Sequence, residues 1–283
     1  MRSVRGLLDI ATSKLKITSE TPALDARILL KYILKSDDLY LLTHGEDLVG
    51  KKEEELFLVQ VEERSHGKPI AYLVGEKEFM GFRFKVTEET LIPRPDTEIL
   101  VAEAIEQISQ HDYKDILDLC SGSGAIGLSI AKILEFTNVT LSDINKGALL
   151  VSEENGELLE VSDRLTYIES DLFQEIHGKF DLITCNPPYI NLKDYTELSK
   201  NVKDFEPEMA LYGGVSGLDF YEKISKESKN HLTDEGMIIF EIGYDQSQEV
   251  EKMLKNNNFK KIKTLKDLSG RDRVISGILV PET

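Results

Sequence analysis

From Leu7 to Leu34 the apolar residues recur at helical spacing: Leu7, Leu8, Ile10, Ala11 and Leu15, then Ala23, Ala26, Ile28, Leu29, Leu30, Tyr32, Ile33 and Leu34. Residues three and four apart share one face of a helix, so the pattern predicts a small helical bundle over residues 1–73. Thr21 before Pro22, or Asp25, marks a helix start. Gly45 and Gly50 mark stops, and a further helix is expected from Lys52 to about Arg64. After Ile70 the period changes. Glu78-Phe79-Met80-Gly81-Phe82-Arg83-Phe84-Lys85-Val86 alternates, which predicts a β-hairpin turning near Met80-Gly81 inside a linker over 74–92. Pro93-Arg94-Pro95-Asp96-Thr97-Glu98 then leads into an amphipathic helix ending near Gln110, with Ile99, Leu100, Val101, Ala104, Ile105 and Ile108 on its apolar side. Beyond it, short apolar runs near 115–119, 138–143, 165–169, 180–185, 236–242, 260–265 and 273–280 alternate with helical stretches. That alternation predicts an α/β fold, a doubly wound sheet over 93–283.

Glycines and acids fall at the C-terminal ends of these strands, where ligands bind in such sheets, so Gly122, Asp143, Asp171 and Asn186 are expected to meet in one crevice. Ile116-Leu117-Asp118-Leu119-Cys120 reads as a buried strand running through Ser121 into Gly122-Ser123-Gly124-Ala125-Ile126-Gly127 and an apolar helix. Glycines at such a turn permit positive φ and close backbone approach, and the helix N-terminus offers unpaired N–H groups to a nucleotide-type cofactor. The same spacing fits a dinucleotide fingerprint. Asp118 shifts the balance: just before the turn its charge would oppose a pyrophosphate, whereas it can accept from the amino group of a methionine moiety. S-adenosylmethionine therefore fits better than NAD. Asp143 ends the next strand, 21 residues after Gly122, where a ribose-binding acid belongs, although an Asp there also serves as a helix N-cap. In Ser170-Asp171-Leu172-Phe173, Asp171 can accept from an adenine amino group and Leu172 can line the ring, with helix capping the plain alternative.

Asn186-Pro187-Pro188-Tyr189, which follows the run Phe180–Cys185, is suited to holding a planar nitrogen for alkylation. A planar NH2 group shares its lone pair with a neighbouring π system and is a poor nucleophile until its protons and plane are fixed. The Asn186 side-chain oxygen can accept one proton. Pro187 has no N–H but keeps its carbonyl as an acceptor for the second, and two successive prolines restrict the backbone there. Tyr189 is expected to cover one face of the planar group, leaving the other to an incoming methyl. This points to an amide or amino methyltransferase; the plain alternative is a Pro-Pro turn ending a strand. Arg94 and Glu98, and likewise Phe205-Glu206-Pro207, are left open between surface or packing roles and the wall of the site.

The chain has 283 residues, 41% of them hydrophobic, with no apolar run near the length of a membrane span. No membrane association is expected. The first twenty residues mix charges with helical apolar positions, unlike a signal peptide, so a cytoplasmic location is expected. The net charge of −17 is uneven: residues 1–92 hold 14 Lys+Arg and 16 Asp+Glu, residues 93–283 hold 20 and 35. Such a surface repels phosphate, so a protein substrate is expected rather than direct contact with nucleic acid. Cys120 and Cys185 are the only cysteines, too few for a disulfide framework or a metal site, and no metal is expected. His44 and His66 have no partners at ligand spacing.

The chain resembles the HemK/PrmC-type release factor glutamine methyltransferases over essentially its whole length. The resemblance rests on Leu91-Ile92-Pro93-Arg94-Pro95-Asp96-Thr97-Glu98, Asp118 through Ile126, Asn186-Pro187-Pro188-Tyr189, Phe205-Glu206-Pro207 with Ala210-Leu211 and Gly213-Gly214, and Gly270-Arg271-Asp272-Arg273-Val274. It departs from the family at Cys120, where Gly is usual, and at Leu172, where Trp is frequent. The resemblance implies a helical N-terminal domain that engages the substrate, a hairpin linker, and a Rossmann-like methyltransferase domain whose last strand is antiparallel. It also implies the acceptor, the side-chain amide of the glutamine in the Gly-Gly-Gln loop of peptide chain release factors. Asn186, Pro187 and Tyr189 are then the expected catalytic residues, with Pro188 beside them on the substrate. Asp118, Cys120, Ser121, Gly122, Ser123, Gly124, Asp143, Asp171, Leu172 and Asn186 are expected to hold the cofactor. Rival readings are methylation of a ribosomal-protein glutamine, adenine amino methylation of DNA or RNA, and a cofactor-sensing module without catalysis.

Overall fold

The computed structural model describes residues 1–280; residues 281–283, which end the predicted 93–283 unit, lie outside the described residues. The chain divides into two units, one made of Met1–Glu76 with Ser199–Phe205, the other of Lys77–Leu198 with the chain from Glu206 onward.

The first unit holds α1 (Val4–Leu15), α2 (Pro22–Leu34), α3 (Asp38–Thr43), α4 (Lys51–Ser65) and α5 (Ile70–Val74). Ser3 caps α1 by accepting from the Gly6 N–H, and Pro22 opens α2, where a missing N–H costs nothing. Val4, Leu7, Ala11 and Leu15, one stripe of α1, pack with Leu29 and Leu30 of α2 and Phe57 and Val61 of α4. Asp25, at the start of α2, is buried and paired with Arg64 of α4 at 2.7 Å, so its charge is compensated where it leaves water.

The second unit contains, in chain order, β1 (Glu76–Phe79, whose first residue belongs with the first unit), β2 (Phe82–Lys85), α6 (Glu98–His111), β3 (Asp115–Leu119), α7 (Ala125–Ile133), β4 (Asn138–Asp143), α8 (Lys146–Leu158), β5 (Leu165–Glu169), β6 (Phe180–Cys185) and α9 (Leu192–Glu197). After α10 (Lys200–Lys203), which belongs with the first unit, follow α11 (Asp219–Glu227), β7 (Leu232–Glu241), α12 (Ser247–Asn256), β8 (Phe259–Lys266) and β9 (Asp272–Leu279). The hairpin β1–β2 turns at Met80 and Gly81, both at positive φ (52° and 78°), the conformation that matches strand twist in a two-residue turn. Lys85 and Asn155 of α8 exchange two hydrogen bonds, N–H to Oδ1 at 2.6 Å and Nδ2 to main-chain oxygen at 3.0 Å, which dock the hairpin on the domain that carries the site.

The seven-stranded sheet has the order β5-β4-β3-β6-β7-β9-β8. Strands from β5 to β7 run parallel, and β9 lies antiparallel between β7 and β8. The chain starts at β3, winds outward through β4 and β5, then returns to β6 on the other flank of β3. Strand order therefore reverses at β3/β6, and the crevice beyond the carboxyl ends of these two strands is where such a sheet takes its ligand. Helices cover both faces, which is why the parallel strands are nearly continuously apolar. Ile116 and Leu182 pack with α6 and α7 on one face; Leu117, Leu119, Ile183 and Cys185 pack with α11 and α12 on the other. Among the described residues no helix is long and apolar enough to cross a membrane.

Candidate active site

β3 ends at Leu119, and Cys120 turns the chain through left-handed backbone (φ 57°), followed by Gly122 (φ 54°) and Gly124 (φ 79°). A Cβ at Gly122 would meet nothing within 4 Å, whereas one at Gly124 would run into Ser152 and would lie 2.7 Å from Leu128 Cδ1. The first glycine thus leaves room on the open side of the turn, and the second permits close packing on α7 and α8. Cys120 carries a Cβ in a conformation that disfavours one by roughly 1–2 kcal/mol, at the position where the resembled family has glycine. Its side chain packs against the cluster containing Cys185. Both cysteines are free. Burial, and then the neighbouring Cys120, push the Cys185 thiol up, which leaves it protonated and a poor nucleophile.

The turn is cross-tied to β4. Ser121 N–H donates to the Ser142 carbonyl (3.0 Å), and Gly122 N–H donates to Asp143 Oδ2 (2.8 Å). Asp143 Oδ1 accepts from Asn145 N–H at 2.9 Å. Desolvation pushes this carboxyl up, and the backbone donors from Asn145 and Gly122 pull it back towards the ionised form. Its orientation is therefore fixed before any ligand arrives, with further lone pairs on each oxygen for hydroxyl donors.

β3 and β6 pair with Leu119 opposite Cys185. The residues that follow each strand, Cys120 to Gly122 and Asn186 to Pro188, therefore emerge side by side although they are far apart in sequence. Cys120, Ser121, Gly122, Asn186 and Pro188 help to enclose a cavity of about 260 Å³. Of the residues expected there, Cys120, Ser121, Gly122, Ser123, Asp143, Asp171, Leu172, Asn186 and Pro188 line it. Asp118, Gly124, Pro187 and Tyr189 are not among the lining residues. Asp118 is fully buried under the turn on the α7 side, where its carboxyl accepts from Thr184 Oγ1 (2.9 Å) and Gly127 N–H (3.0 Å) and is pushed up to about 7 by burial. Tyr189 turns its hydroxyl to Glu241 Oε1 (3.2 Å), and its main-chain oxygen accepts from Gln246 Nε2 (2.9 Å).

The facing wall is built by residues whose role sequence reasoning left open or did not raise. Pro93, Arg94 and Thr97 line the cavity, as do Pro207, Met209, Ala210, Tyr212 and Phe220. Arg94 donates to the buried Glu206 at 2.5 Å, tying the segment before α6 to the loop after α10. Arg94 thus lies in the wall, and Phe205-Glu206-Pro207 contributes Pro207 to the wall and Glu206 as the partner of Arg94. Behind Asn186-Pro187-Pro188-Tyr189, the segment suited to clamp a planar nitrogen, Gly213 fits where a Cβ would sit 2.5 Å from the Pro188 carbonyl oxygen and 2.7 Å from Tyr189 Cα. Ile190 and Gly213 exchange this contact for hydrogen bonds: Ile190 N–H donates to Leu211 (3.0 Å) and Gly213 N–H donates to Ile190 (2.9 Å). Only the glycine pair Gly213-Gly214 hinted at this in the sequence.

A strand, a glycine turn opened at Gly122, an oriented Asp143 at the end of β4 and a cavity at the β3/β6 reversal together form a nucleotide-type cofactor site of the kind S-adenosylmethionine-dependent methyltransferases carry. Comparison with known proteins agrees. Residues 96–202 match the methyltransferase small domain and residues 6–75 the PrmC N-terminal domain. The release factor glutamine methyltransferase of Clostridium acetobutylicum is 42% identical over 257 residues, 90% of this chain and 90% of that protein. The protein of the same name from Clostridium botulinum is 42% identical over 255 residues, 89% of this chain and 90% of that one. A methyltransferase from Pyrococcus furiosus shares the fold, with a TM-score of 0.53 at 16% identity, covering 79% of this chain and 98% of that one. The chain belongs to the release factor glutamine methyltransferase family.

Proposed function

We infer that this chain transfers a methyl group from S-adenosylmethionine to the side-chain amide nitrogen of the glutamine in the Gly-Gly-Gln loop of peptide chain release factors. One observation carries the reading: the Leu119–Cys185 register brings the glycine turn, Asn186 and Pro188 to the rim of a single cavity. Cofactor and acceptor amide therefore share one space.

The cofactor supplies the electrophilic methyl. The residues present fit it, since Gly122 leaves open space at the turn, Asp143 is oriented for a ribose, and Asp171 and Leu172 line the same cavity beyond β5. Opposite them Asn186 accepts one proton of the acceptor amide through its side-chain oxygen, and the Pro187 carbonyl accepts the other. Two acceptors on one NH2 group fix its plane and favour the positive charge that grows on nitrogen as it is alkylated. As the N–C bond forms and the sulfonium S–C bond breaks to leave a neutral thioether, that charge makes the nitrogen acidic, so its proton passes to solvent water without a strong base. Orientation supplies most of the rate, and well-aligned reactants gain roughly 7–11 kcal/mol in this way.

A protein substrate is also supported by the charge of residues 93–283, 35 acidic against 20 basic, which disfavours the phosphate backbone. The same reading places the enzyme in the cytoplasm, where its substrate acts. The test is mass spectrometry of a bacterial release factor incubated with the protein and S-adenosylmethionine. One added methyl on the loop glutamine is expected, lost when that glutamine is changed to alanine and when Asn186→Ala replaces the wild type. An unmodified release factor would reject the substrate assignment.

A further inference from the structure

Two of the sequence runs that carry the family resemblance, Leu91 to Glu98 and Gly270 to Val274, have no chemistry in the mechanism above beyond the wall residues Leu91, Pro93, Arg94 and Thr97. Both converge on one residue, Glu241, at the end of β7. It is 1% exposed and does not line the cavity. Its two carboxylate oxygens serve two different walls. Oε1 accepts from the hydroxyl of Tyr189, the last residue of the clamp motif, at 3.2 Å, and Oε2 accepts from Oγ1 of Thr97 in the facing wall at 2.5 Å. The main-chain oxygen of Glu241 accepts from the buried Tyr221 hydroxyl at 2.9 Å.

Burial pushes the Glu241 carboxyl up, and the Thr97 hydroxyl, then the charge of Arg273, which precedes the strand partner Val274 on β9, and the Tyr189 hydroxyl pull it back towards the ionised form. Arg273 is itself held 3.3 Å from Asp96, next to Thr97, and 3.3 Å from Asp267. Burying a carboxylate costs several kcal/mol before compensation, and an apolar side chain would fill the same volume more cheaply. What an apolar side chain lacks is a rigid, planar pair of acceptors that holds two hydroxyls at a fixed separation.

We propose that Glu241 is a positioning residue for methyl transfer, a carboxylate bracket that holds Tyr189 and Thr97 and so fixes Asn186 and Pro187 against the opposite wall. The proposal rests on the functional reading given above. Glu241 touches neither the acceptor nor the cofactor cavity; it acts through Tyr189 on the short proline-stiffened segment that ends in the clamp. Tyr189 is held at both ends, by Glu241 at its hydroxyl and by Gln246 at its carbonyl, so slack at either end is passed to the residues just before it.

The test uses the full chain, S-adenosylmethionine and a bacterial release factor. Glu241→Gln preserves volume but offers one acceptor where two are needed, and Tyr189→Phe and Thr97→Val each remove one of the two hydroxyls. Single-turnover methyl transfer is expected to fall about 10-fold or more in Glu241→Gln, in line with the steep dependence of rate on alignment, with cofactor affinity within about 2-fold of wild type. In double-mutant cycles the Glu241→Gln and Tyr189→Phe losses are expected to be non-additive, the double variant being no slower than Glu241→Gln alone. If Glu241→Gln does not fold, the cycle between Tyr189→Phe and Thr97→Val reads the same bracket. These two hydroxyls bond to different oxygens of one carboxylate, and coupling between them supports the bracket. Additive losses, or an undiminished rate in folded Glu241→Gln, overturn it while wild-type activity stands. A wild type that leaves the release factor unmethylated overturns the functional reading and the bracket together.

Discussion

Gly213→Ala places one methyl group against the back of the amide clamp. Its Cβ would stand 2.5 Å from the Pro188 carbonyl oxygen and 2.7 Å from Tyr189 Cα, where ordinary contact begins at 3.4 Å. The atoms met are backbone, so no side-chain rotation relieves the overlap. The loop carrying Gly213 cannot swing away freely either: Gly213 N–H donates to Ile190, Ile190 N–H donates to the buried Leu211, and Asp219 N–H donates to Gly213 at 3.3 Å. Relief therefore requires the Gly213 loop and the Pro188–Tyr189 backbone to separate by about 0.9 Å, the shortfall between 2.5 and 3.4 Å at the Pro188 oxygen, which displaces the segment that carries Asn186. A misplacement of that size at reacting groups lowers rate by about 100-fold. Single-turnover methyl transfer to the release factor, followed by mass spectrometry, should show this loss. Cofactor affinity measured by calorimetry should stay within about 2-fold, because the glycine turn lies on the other strand end. A folded variant that transfers methyl at the wild-type rate would refute the idea that the Gly213 loop backs the clamp.

Asn186→Ala should lower turnover by about 100-fold while leaving cofactor affinity nearly unchanged, as expected for loss of one group matched to transition-state charge; a loss confined to cofactor binding would count against the clamp. Gly122→Ala and Gly124→Ala should separate binding from folding. Both glycines stand at positive φ, so each alanine costs roughly 1–2 kcal/mol of backbone strain; the first otherwise adds a methyl in open space and should weaken cofactor binding about 10-fold, whereas the second also meets Ser152 and Leu128 and should lower the melting temperature further, by an amount equivalent to about 1–3 kcal/mol. Equal melting temperatures for the two would contradict this. Asp118, pushed up to about 7 from 3.8 by burial, holds its proton more tightly in the folded than in the unfolded chain. Its contribution to stability is then complete below about pH 4 and is lost as pH rises towards 7, by an amount on the order of a few kcal/mol. The melting-temperature difference between Asp118→Asn and wild type should accordingly move in favour of the variant from pH 4.5 to pH 8, and a difference independent of pH would reject the assignment.

Much of this architecture is written in local periodicity. The seven expected strands lie within a few residues of those observed, because buried parallel strands are short apolar runs bounded by glycines and acids. The hairpin at Met80-Gly81 and the helix from Glu98 follow from an alternating and a helical stripe. The glycine turn, Asp143 and Asn186 announce themselves by residue type at strand ends, which is why most of the expected cofactor residues do line the cavity. The same strand periodicity already places Asp118 on the Ile116 side of β3, towards α7 and away from the crevice; chemical expectation drew it into the cofactor site.

The sequence by itself determined the longer helices and the strands of the sheet and which strand ends carry candidate chemistry, because these depend on contacts close along the chain and on the donors and acceptors of single residues. The tertiary structure decided which of those ends meet. The pairing of β3 with β6 is what brings Cys120–Gly122 together with Asn186 and Pro188 in one cavity. The packing of Gly213 on Pro188, the tie from Arg94 to Glu206, and the hydrogen bonds of Thr97 and Tyr189 to Glu241 join residues up to 144 positions apart, as in the Thr97–Glu241 bond. Such contacts leave no local signature, since neither partner's neighbours in sequence carry information about the residue it will touch.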